Sequence, residues 1–324
     1  MPSTPPNSNV AAAVPRYQFA HGFIFRLITD RLNSVIIRVM SRKTKISTIV
    51  ASSAVLFVYW LVLAVSHTRY KQINYWWEAL LAVAAMYYGY LGMLTARGWS
   101  WLKSGVGQST FFISLGLIMW GLGQAGWTYY VIKDPAQQVP PTHILDVIYS
   151  SSIPLWAYGI FKLTRATGAR YGIRNTKAKV AVSLLILVML VFSYYVLVVV
   201  ARGGNSYFQQ PFWTIFFDLG YAIGDFINLT LAAAIFGLSW KYLGGRFKRP
   251  ILVLLGAFGV IYVADFLFSF YDGKGQYYNG HWTDLIYLLM TAVFGIGLCL
   301  LDPARKPAPT PPAAVTGPVV GASL

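Results

Sequence analysis

Long apolar segments, separated by short polar ones, dominate the chain. Each apolar segment is about 20 residues long, which is the length that an α-helix needs to cross the hydrocarbon core of a bilayer. The pattern predicts an all-α, polytopic membrane bundle of eight transmembrane helices. The predicted helices cover residues 46–66, 75–96, 107–132, 142–162, 179–201, 211–238, 250–271 and 282–301.

The segments outside the predicted bundle, 46–301, have different compositions. Residues 1–16 and 302–324 are rich in Pro and Ala, which predicts two disordered tails. Residues 17–45 mix apolar and basic positions and predict an amphipathic helix on the inner leaflet. A contact helix for a partner protein is the alternative. Residues 1–15 lack the basic start and apolar stretch of a cleavable signal peptide, so we expect the first membrane helix to act as the anchor.

The composition excludes a soluble protein. The 324-residue chain is 56% hydrophobic and 11% charged, with a mean hydropathy of +0.55, whereas a soluble chain has about a quarter charged residues. The net charge of +16 does not indicate nucleic-acid binding, because the basic residues lie between the apolar segments. We expect the partners to be the lipid bilayer and the anionic lipids of its inner leaflet, and the location to be the cell membrane.

The distribution of Lys and Arg predicts the orientation of the helices. Of the 26 basic residues, 21 lie in the two terminal segments and in every second loop. Cytoplasmic loops hold the excess of Lys and Arg in membrane proteins, so both termini are predicted to be cytoplasmic. Trp76, Trp127 and Trp282 lie near the predicted outer ends of helices, where an aromatic belt is expected.

A short polar motif recurs at the outer ends of the predicted helices. The spacing His-x-x-Asp-x-x-Tyr occurs at 143–149 and at 281–287, and Asp-x-x-Tyr occurs again at 218–221. Residues three apart on a helix share a face, so each motif forms a polar stripe. Equivalent positions in 115–163 and 255–301 indicate parallel helical-hairpin repeats, an arrangement that differs from the inverted repeats of many transporters.

Six of the ten acidic residues lie inside or at the mouth of apolar segments, and no Lys or Arg lies inside a span to pair with them. A carboxylate near the bilayer centre costs a few kcal/mol. At helix starts, the helix dipole and a wet interface accommodate such a charge. Deeper acids are either neutral and hydrogen-bonded, or they line an outward-opening polar cavity. The six acids are Glu78, Asp146, Asp218, Asp225, Asp265 and Asp284.

The candidate ligand-binding site combines such acids with tyrosines and a glutamine from separate hairpins. The carboxyl groups would bind a cationic or hydroxylated ligand, and the tyrosines would orient it. The predicted site residues are Asp146, Tyr149, Asp218, Tyr221, Asp225, Asp265, Asp284, Tyr287 and Gln124. No catalytic residue, cofactor or metal is predicted. Cys299 alone cannot form a cysteine-based cluster, and the His-x-x-Asp pairs are a weak metal signal that we interpret as interfacial polar groups.

Short glycine- and aromatic-rich motifs extend over residues 75–301. They are Leu115–Gln124, Trp127, Tyr129, Tyr130, Pro140, Pro141, Asp146, Tyr149, Asp218–Tyr221, Ala264, Asp265, Phe270, Tyr271, Tyr277, Tyr278, Gly280 and Asp284. In these motifs the chain resembles the multi-helix membrane input region that precedes diguanylate cyclase and histidine kinase domains in many bacteria and archaea. The resemblance implies a sensor or ligand-binding scaffold without enzyme activity. The catalytic output of those proteins is expected to be absent here, and His143 and His281 are not part of the resemblance.

Three functions are compatible with the sequence. The first is a membrane sensor or ligand-binding module that signals through, or assists, a separate signalling partner. The second is a proton- or cation-coupled small-molecule transporter in which Asp225 and Asp265 cycle protons. The third, an intramembrane enzyme with paired carboxylates, ranks last because no nucleophile or metal set is evident in the sequence.

Overall fold

The computed structural model describes residues 40–133, 144–166, 176–200, 212–239 and 245–303. These residues contain helices and no strand, which confirms the all-α class. The α-helices are α1 (Arg42–Val65), α2 (Gln72–Gly98), α3 (Gly105–Lys133), α4 (Ile144–Ser150), α5 (Ser152–Ala166), α6 (Thr176–Tyr194), α7 (Phe212–Ser239), α8 (Gly245–Gly273) and α9 (Asp284–Leu300). A 3-10 helix at Trp101–Lys103 precedes α3, and a π-helical segment at Tyr195–Val200 follows α6.

Five helices of the described residues are long and apolar enough to cross a membrane, which indicates a membrane protein. They are Arg42–Val65, Gln72–Gly98, Gly105–Lys133, Ile144–Ala166 and Phe247–Gly273. Three shorter apolar stretches lie in α6, α7 and α9, at Ser183–Tyr194, Ile223–Ala234 and Asp284–Leu300.

The fourth predicted helix, 142–162, is interrupted in the structure, where α4 ends at Ser150 and α5 begins at Ser152. Pro154 lies in the first turn of α5 and has no N–H to donate to the carbonyl of Ser150. The hydroxyl of Ser152 donates to the Tyr149 carbonyl over 2.7 Å and satisfies that acceptor at the break.

Some predictions lie outside the described residues. The disordered tail at 1–16 and most of the amphipathic helix at 17–45 are among them, as are His143 and most of the tail at 302–324. Asp218 lies within α7, but its side chain is outside the described part. Residues 1–44 and 45–324 form separate units, and all the packing described below is within residues 45–324.

Six of the described helices pack in a closed ring. In order around it, α2 contacts α3, α3 contacts α5, α5 contacts α7, α7 contacts α8, α8 contacts α9, and α9 returns to α2. The short helix α4 continues the α5 position and also contacts α3 and α7. The ring therefore gives these helices a shared interior.

Helices α1 and α6 lie outside the ring. The indole of Trp77 on α2 donates to the Leu56 carbonyl of α1 over 2.8 Å, and Ser193 on α6 hydrogen-bonds to Tyr262 of α8 over 2.8 Å. Most of the described side chains of both helices are exposed, and they are mainly Val, Leu, Ile and Phe. An apolar exposed surface of this kind fits contact with lipid.

Two groups of contacts lie at opposite ends of the bundle, and each group joins helices at its own end. At one end, Lys45 forms an ion pair of 2.8 Å with Asp302, and Trp99 donates to the Leu301 carbonyl over 2.6 Å. At the other end, Trp60 donates to the Gly280 carbonyl over 3.1 Å. The beginning of α1 and the end of α9 therefore lie at the same end of the bundle.

Glycines permit close contact between the ring helices. A Cβ at Gly89 of α2 would lie 2.6 Å from the side chain of Ile118 and 2.8 Å from the Ser114 carbonyl oxygen of α3. A backbone oxygen cannot move away as a flexible side chain could, so α2 and α3 would have to separate. By contrast, a Cβ at Gly256 of α8 would meet nothing within 4 Å.

We therefore expect Gly89→Ala to destabilise the protein by roughly 1–3 kcal/mol, the usual cost of overpacking. Gly256→Ala is the matched control, and it should leave stability unchanged or raise it slightly because Ala favours helix. Thermal unfolding of the detergent-purified protein, followed by tryptophan fluorescence, measures both effects. Equal unfolding temperatures for the two variants would contradict the close α2–α3 contact.

Candidate functional site

The polar groups of the ring interior form two layers near one end of the bundle. In the outer layer, Glu78 of α2 and Asp284 of α9 are each 1% exposed. Their carboxyl groups hydrogen-bond to each other. Two ionised carboxyl groups at such proximity would repel each other, which favours one proton between them. No Lys or Arg among the described residues forms an ion pair with either of them.

Every described polar neighbour of this outer pair is a donor. Gln124 of α3 donates to Glu78 Oε2 over 2.9 Å. The backbone N–H of Gly280 donates to Asp284 Oδ2 over 2.8 Å and lies 3.4 Å from Glu78 Oε1. The Tyr277 hydroxyl donates to Asp284 Oδ1 over 3.2 Å. The outer pair is therefore well satisfied within the protein.

The backbone of Gly280 has φ +83°, a conformation that glycine adopts readily and other residues rarely do. This conformation accompanies the turn by which the loop enters the bundle and brings its N–H to both carboxyl groups. A Cβ at this position would also lie 2.8 Å from Asn74 Nδ2. The α8–α9 loop is thus a structural part of the outer layer.

The inner layer contains the second carboxyl pair. Asp225 of α7 is 3% exposed and hydrogen-bonds to the carboxyl group of Asp265 on α8. The hydroxyl of Tyr287 on α9 donates to Asp265 Oδ1 over 2.5 Å. Tyr287 is thus the hydroxyl donor that the described residues supply to this pair.

Aromatic rings connect the two halves of the inner layer. The ring of Trp120 on α3 lies 5.6 Å from that of Tyr149 and 5.7 Å from that of Tyr287. Tyr149 in turn contacts Tyr221 edge to face at 5.4 Å. The Tyr221 hydroxyl donates to Asp146 Oδ1 over 3.2 Å, so the carboxyl group of Asp146 also belongs to the network.

Two buried acceptor oxygens of α7 lack the hydrogen-bond donors that the outer carboxyl groups have. Apart from the shared bond with Asp265, Asp225 Oδ2 receives no hydrogen bond from the described residues, and neither does Asn228 Oδ1. Asn228 is 0% exposed, and its amide nitrogen donates to the Ile153 carbonyl over 3.4 Å. Buried acceptors without a donor are rare in folded proteins and require an explanation.

An apolar layer lies beneath the polar ones. The ring of Trp156 stacks on that of Phe294 at 5.2 Å, and Phe258 meets Phe294 edge to face at 4.9 Å. These three side chains are 1% exposed or less. Further along the bundle is a small hollow with an apolar lining that includes Ile113 and Leu254. The paired acids of the described interior thus lie on one side of the Trp156 layer, whereas smaller buried polar side chains such as Ser109 and Thr110 lie on the other.

The structure brings together eight of the nine predicted site residues. Tyr149, Tyr221, Asp225, Asp265 and Tyr287 lie in the inner layer. Gln124 and Asp284 lie in the outer layer, and Asp146 contacts the inner one. The ninth, Asp218, has a side chain outside the described residues.

The sequence predicts a wet interface for the acids at helix starts, but the structure buries all three of them, Glu78, Asp146 and Asp284. The predicted site also lacks Glu78, Tyr277 and Asn228, which the structure places in or next to the two layers. The missed signal for Glu78 was its place at the start of a ring helix, opposite Asp284. Asn228 was visible as a residue on the same face of α7 as Asp225, three positions further along.

Metal binding at the His-x-x-Asp motif receives no support in the described residues. Those residues contain no group of three His, Cys, Asp or Glu side chains that could hold a metal ion. The ring of His281 instead lies against aromatic rings, at 4.8 Å from Tyr271, 5.2 Å from Tyr278 and 5.6 Å from Trp282. Its Nδ1 is 3.0 Å from the Thr283 hydroxyl.

Electrostatics in the α8–α9 loop favour neutral side chains. Burial, assisted by the charge of Arg69, lowers the pKa of His281 below its ordinary value of 6.5. Burial, together with the charges of Asp284 and Glu78, raises the pKa of Tyr277 well above 10.0. Tyr277 is therefore a neutral donor to Asp284 at every physiological pH.

The fold and the site together define a helical membrane protein whose interior contains a network of paired carboxyl groups and tyrosines. No family model matches the chain, and no curated protein or solved structure matches it either. The arrangement of the site is thus the direct basis for a functional proposal.

The lowered pKa of His281 predicts that acid destabilises the protein. The unfolded chain binds a proton near the ordinary value of 6.5, whereas the folded chain resists it. The stability that neutral His281 contributes is therefore present above about pH 6.5 and is lost as the pH falls toward the lowered pKa. Unfolding temperatures at about pH 7.5 and about pH 5 measure this loss.

His281→Asn should show a smaller decrease on acidification than the parent. His67→Asn is the control, because His67 is exposed and has φ 49°, a conformation that Asn tolerates. This control should follow the parent. An unchanged pH dependence in His281→Asn would mean that other groups cause the acid sensitivity.

Proposed function

We propose that the protein is an integral membrane sensor or ligand-binding module of the cell membrane, which signals through or assists a separate partner. One observation carries this proposal: acids and tyrosines from α2, α4, α7, α8 and α9, with Gln124 of α3, meet in a buried network on one side of an apolar layer. Carboxyl groups without basic partners are costly in such a place, and in membrane proteins intramembrane ionisable groups of this kind mark functional sites.

Eight spans with both termini in the cytoplasm fit the contacts of the bundle. Five long apolar helices and three shorter apolar stretches make eight segments. The contact of Lys45 with Asp302 supports termini on one side. The contact of Trp60 with Gly280 supports the α1–α2 and α8–α9 loops on the other side. The excess of Lys and Arg assigns the first side to the cytoplasm.

The internal similarity of residues 115–163 and 255–301 equates α3 with α8 and α5 with α9. A half-turn of the ring makes the same exchanges and also exchanges α2 with α7, which is compatible with a repeat of four helices. The hydrogen bond of Gln124 to Glu78 then corresponds to that of Asp265 to Asp225. Each of these larger repeats would then consist of two of the parallel hairpins that the sequence indicates.

The apolar layer around Trp156 favours a sensor over a transporter. A transported solute or proton would need a polar path from Asp225 to the cytoplasmic side. An aromatic layer of Trp156, Phe258 and Phe294 instead crosses the interior next to the acids. On α9, Phe294 lies between Tyr287 and the end of the bundle where Asp302 pairs with Lys45, so the layer separates the acids from the proposed cytoplasmic side.

A proton- or cation-coupled transporter is the second candidate. The observation that favours it is the Asp225–Asp265 pair, in which two carboxyl groups lie close together without an ion-pair partner among the described residues. Such a pair could release and accept a proton during a transport cycle if the bundle opened alternately on both sides. The resemblance to membrane input regions favours the sensor instead, with the output supplied by the partner. The basic residues at 162–179 and 240–250 would bind that partner or anionic lipid.

The topology can be tested by cysteine labelling. Cys299 is the only cysteine of the chain, so Cys299→Ala provides a background without thiols. Lys71→Cys and Lys274→Cys should react with an impermeant maleimide added to intact cells. Lys103→Cys, which is also exposed, should react only after permeabilisation. Labelling of Lys103→Cys in intact cells would reverse the proposed orientation.

Transport can be tested in proteoliposomes. We expect the parent and Asp225→Asn to show the same background uptake of radioactive sodium and the same change in internal pH after a pH jump. The reason is that the apolar layer closes the path below Asn228. Empty liposomes provide the baseline. Flux through the parent that Asp225→Asn abolishes would replace the sensor proposal with the transporter.

A further inference from the structure

We infer that Asp225, Asp265 and Asn228 form a binding site for one alkali metal cation, with Na⁺ as the probe. This inference rests on the proposed ligand-binding function and names the class of ligand. It is carried by two buried acceptor oxygens, Asp225 Oδ2 and Asn228 Oδ1, which lie on one face of α7 and receive no hydrogen bond from the described residues apart from the contact of Asp225 with Asp265.

The outer pair does not need a bound cation. Glu78 and Asp284 receive hydrogen bonds from Gln124, Gly280 and Tyr277. These donors satisfy both carboxyl groups from three different elements, so a cation there would have to displace bonds that already exist. The amide oxygen of Asn74 near Gly280 is also buried without a donor, so the two pairs differ in the donors that reach their carboxyl groups and not in the presence of an orphaned amide.

The inner pair has acceptors in excess of donors. The described residues supply one external donor, the Tyr287 hydroxyl, to its four carboxyl oxygens. Asp225 Oδ2 has no partner beyond the shared bond, although Asp225 is 3% exposed. A bound cation would satisfy these oxygens, because it supplies positive charge and adds no further hydrogen-bond acceptor.

The side chain of Asn228 independently indicates a bound cation. It follows Asp225 by three positions, so the two side chains share one face of α7. The Nδ2 group points to the Ile153 carbonyl of α5, and the Oδ1 atom is left buried and without a donor. An uncharged amide oxygen that accepts nothing from the protein is a suitable ligand for a hard cation.

Charge and ligand number favour a monovalent ion. The hydrogen bond between Asp225 and Asp265 holds a single positive charge, in the form of one proton. A monovalent cation between the carboxylates would supply the same charge and leave the interior no more polar. Ca²⁺ takes six to eight oxygen ligands, often from several carboxylates, and the described residues contain no group of three acidic or His side chains here.

The two carboxyl groups of the inner pair differ in exposure. Asp265 is partly exposed, whereas Asp225 is buried. The rings of Trp156 and Phe258 belong to the aromatic layer that lies toward Lys45 and Asp302. An ion held by the pair would therefore have this layer between it and that end of the bundle.

Thermal unfolding of the full chain in detergent tests the inference. NaCl is titrated against choline chloride at constant ionic strength, and tryptophan fluorescence reports the unfolding temperature. We expect Na⁺ to raise the unfolding temperature by several degrees, with an increase that follows the logarithm of its concentration, as binding to the folded state alone requires. Choline, which is too large for the site, should have no such effect.

Asp225→Asn should lose the Na⁺ response because it removes the charge that binds the ion. Asn228→Leu keeps the charge and the volume, and it should weaken the apparent Na⁺ affinity several-fold. Asp302→Asn is the matched control, since it makes the same chemical change at the opposite end of α9. Its Na⁺ response should equal that of the parent.

Three outcomes would overturn the inference. They are no Na⁺ response in the parent, the same response with choline chloride, or an undiminished response in Asp225→Asn. Stabilisation by CaCl₂ but not by NaCl would overturn the monovalent class. If Asp225→Asn does not fold, equilibrium dialysis of the parent and Asn228→Leu with radioactive sodium decides, and about one bound ion per parent chain is expected.

The inference and the proposed function can fail separately. Absence of Na⁺ binding removes the cation site and leaves a sensor for another ligand. Na⁺ binding together with sodium flux in proteoliposomes keeps the site and replaces the sensor with a transporter.

Discussion

The structure depends on how a membrane protein accommodates carboxyl groups for which it has no buried cation. An isolated carboxylate in an apolar bundle loses far more hydration energy than a single neutral donor returns. In the ring, acids from different helices therefore share protons with one another, as Glu78 does with Asp284 and Asp225 with Asp265. Each pair holds one negative charge in place of two, and hydroxyl and amide donors surround what remains.

This pairing also orders the helices. The outer pair joins α2 to α9 and closes the ring where the first and last of its helices meet. The inner pair joins α7 to α8, and Tyr287 ties both to α9. Since a hydrogen bond in a low-dielectric interior is stronger than in water and costly to leave unmade, these contacts specify which helices are neighbours. Close glycine contacts such as that of Gly89 then allow the neighbours to pack.

The interior is divided by chemistry along the bundle axis. Acids, tyrosines and Trp120 occupy one end, whereas Trp156, Phe258 and Phe294 fill the next layer. A site of this kind can respond to a small charged ligand without letting it pass. The α8–α9 loop takes part directly, because the N–H of Gly280 contacts both outer carboxyl groups and the neighbouring His281 resists protonation. The inner pair contacts α9 through Tyr287, and the α8–α9 loop leads into the same helix. A ligand that changed the inner pair would therefore act on α9.

The sequence by itself determined the membrane class and the residues available for chemistry. Runs of apolar residues can satisfy their backbone in lipid only as helices, and acids without basic partners inside those runs had to meet in the interior. Asp146, Asp225, Asp265 and Asp284 were therefore identifiable from spacing alone. The break at Ser151 could also have been read from Pro154, which removes a backbone donor wherever it lies in a helix.

Only the tertiary structure decided which acid meets which. Glu78 and Asp284 are about 200 positions apart in the chain, and no local pattern shows that the ring closes between α2 and α9. The depth of Glu78 was misjudged for the same reason: burial depends on the neighbouring helices and on the loop that covers the site. The difference between a satisfied pair and an unsatisfied one likewise depends on donors from three separate elements, whose distances are fixed by packing and not by sequence spacing.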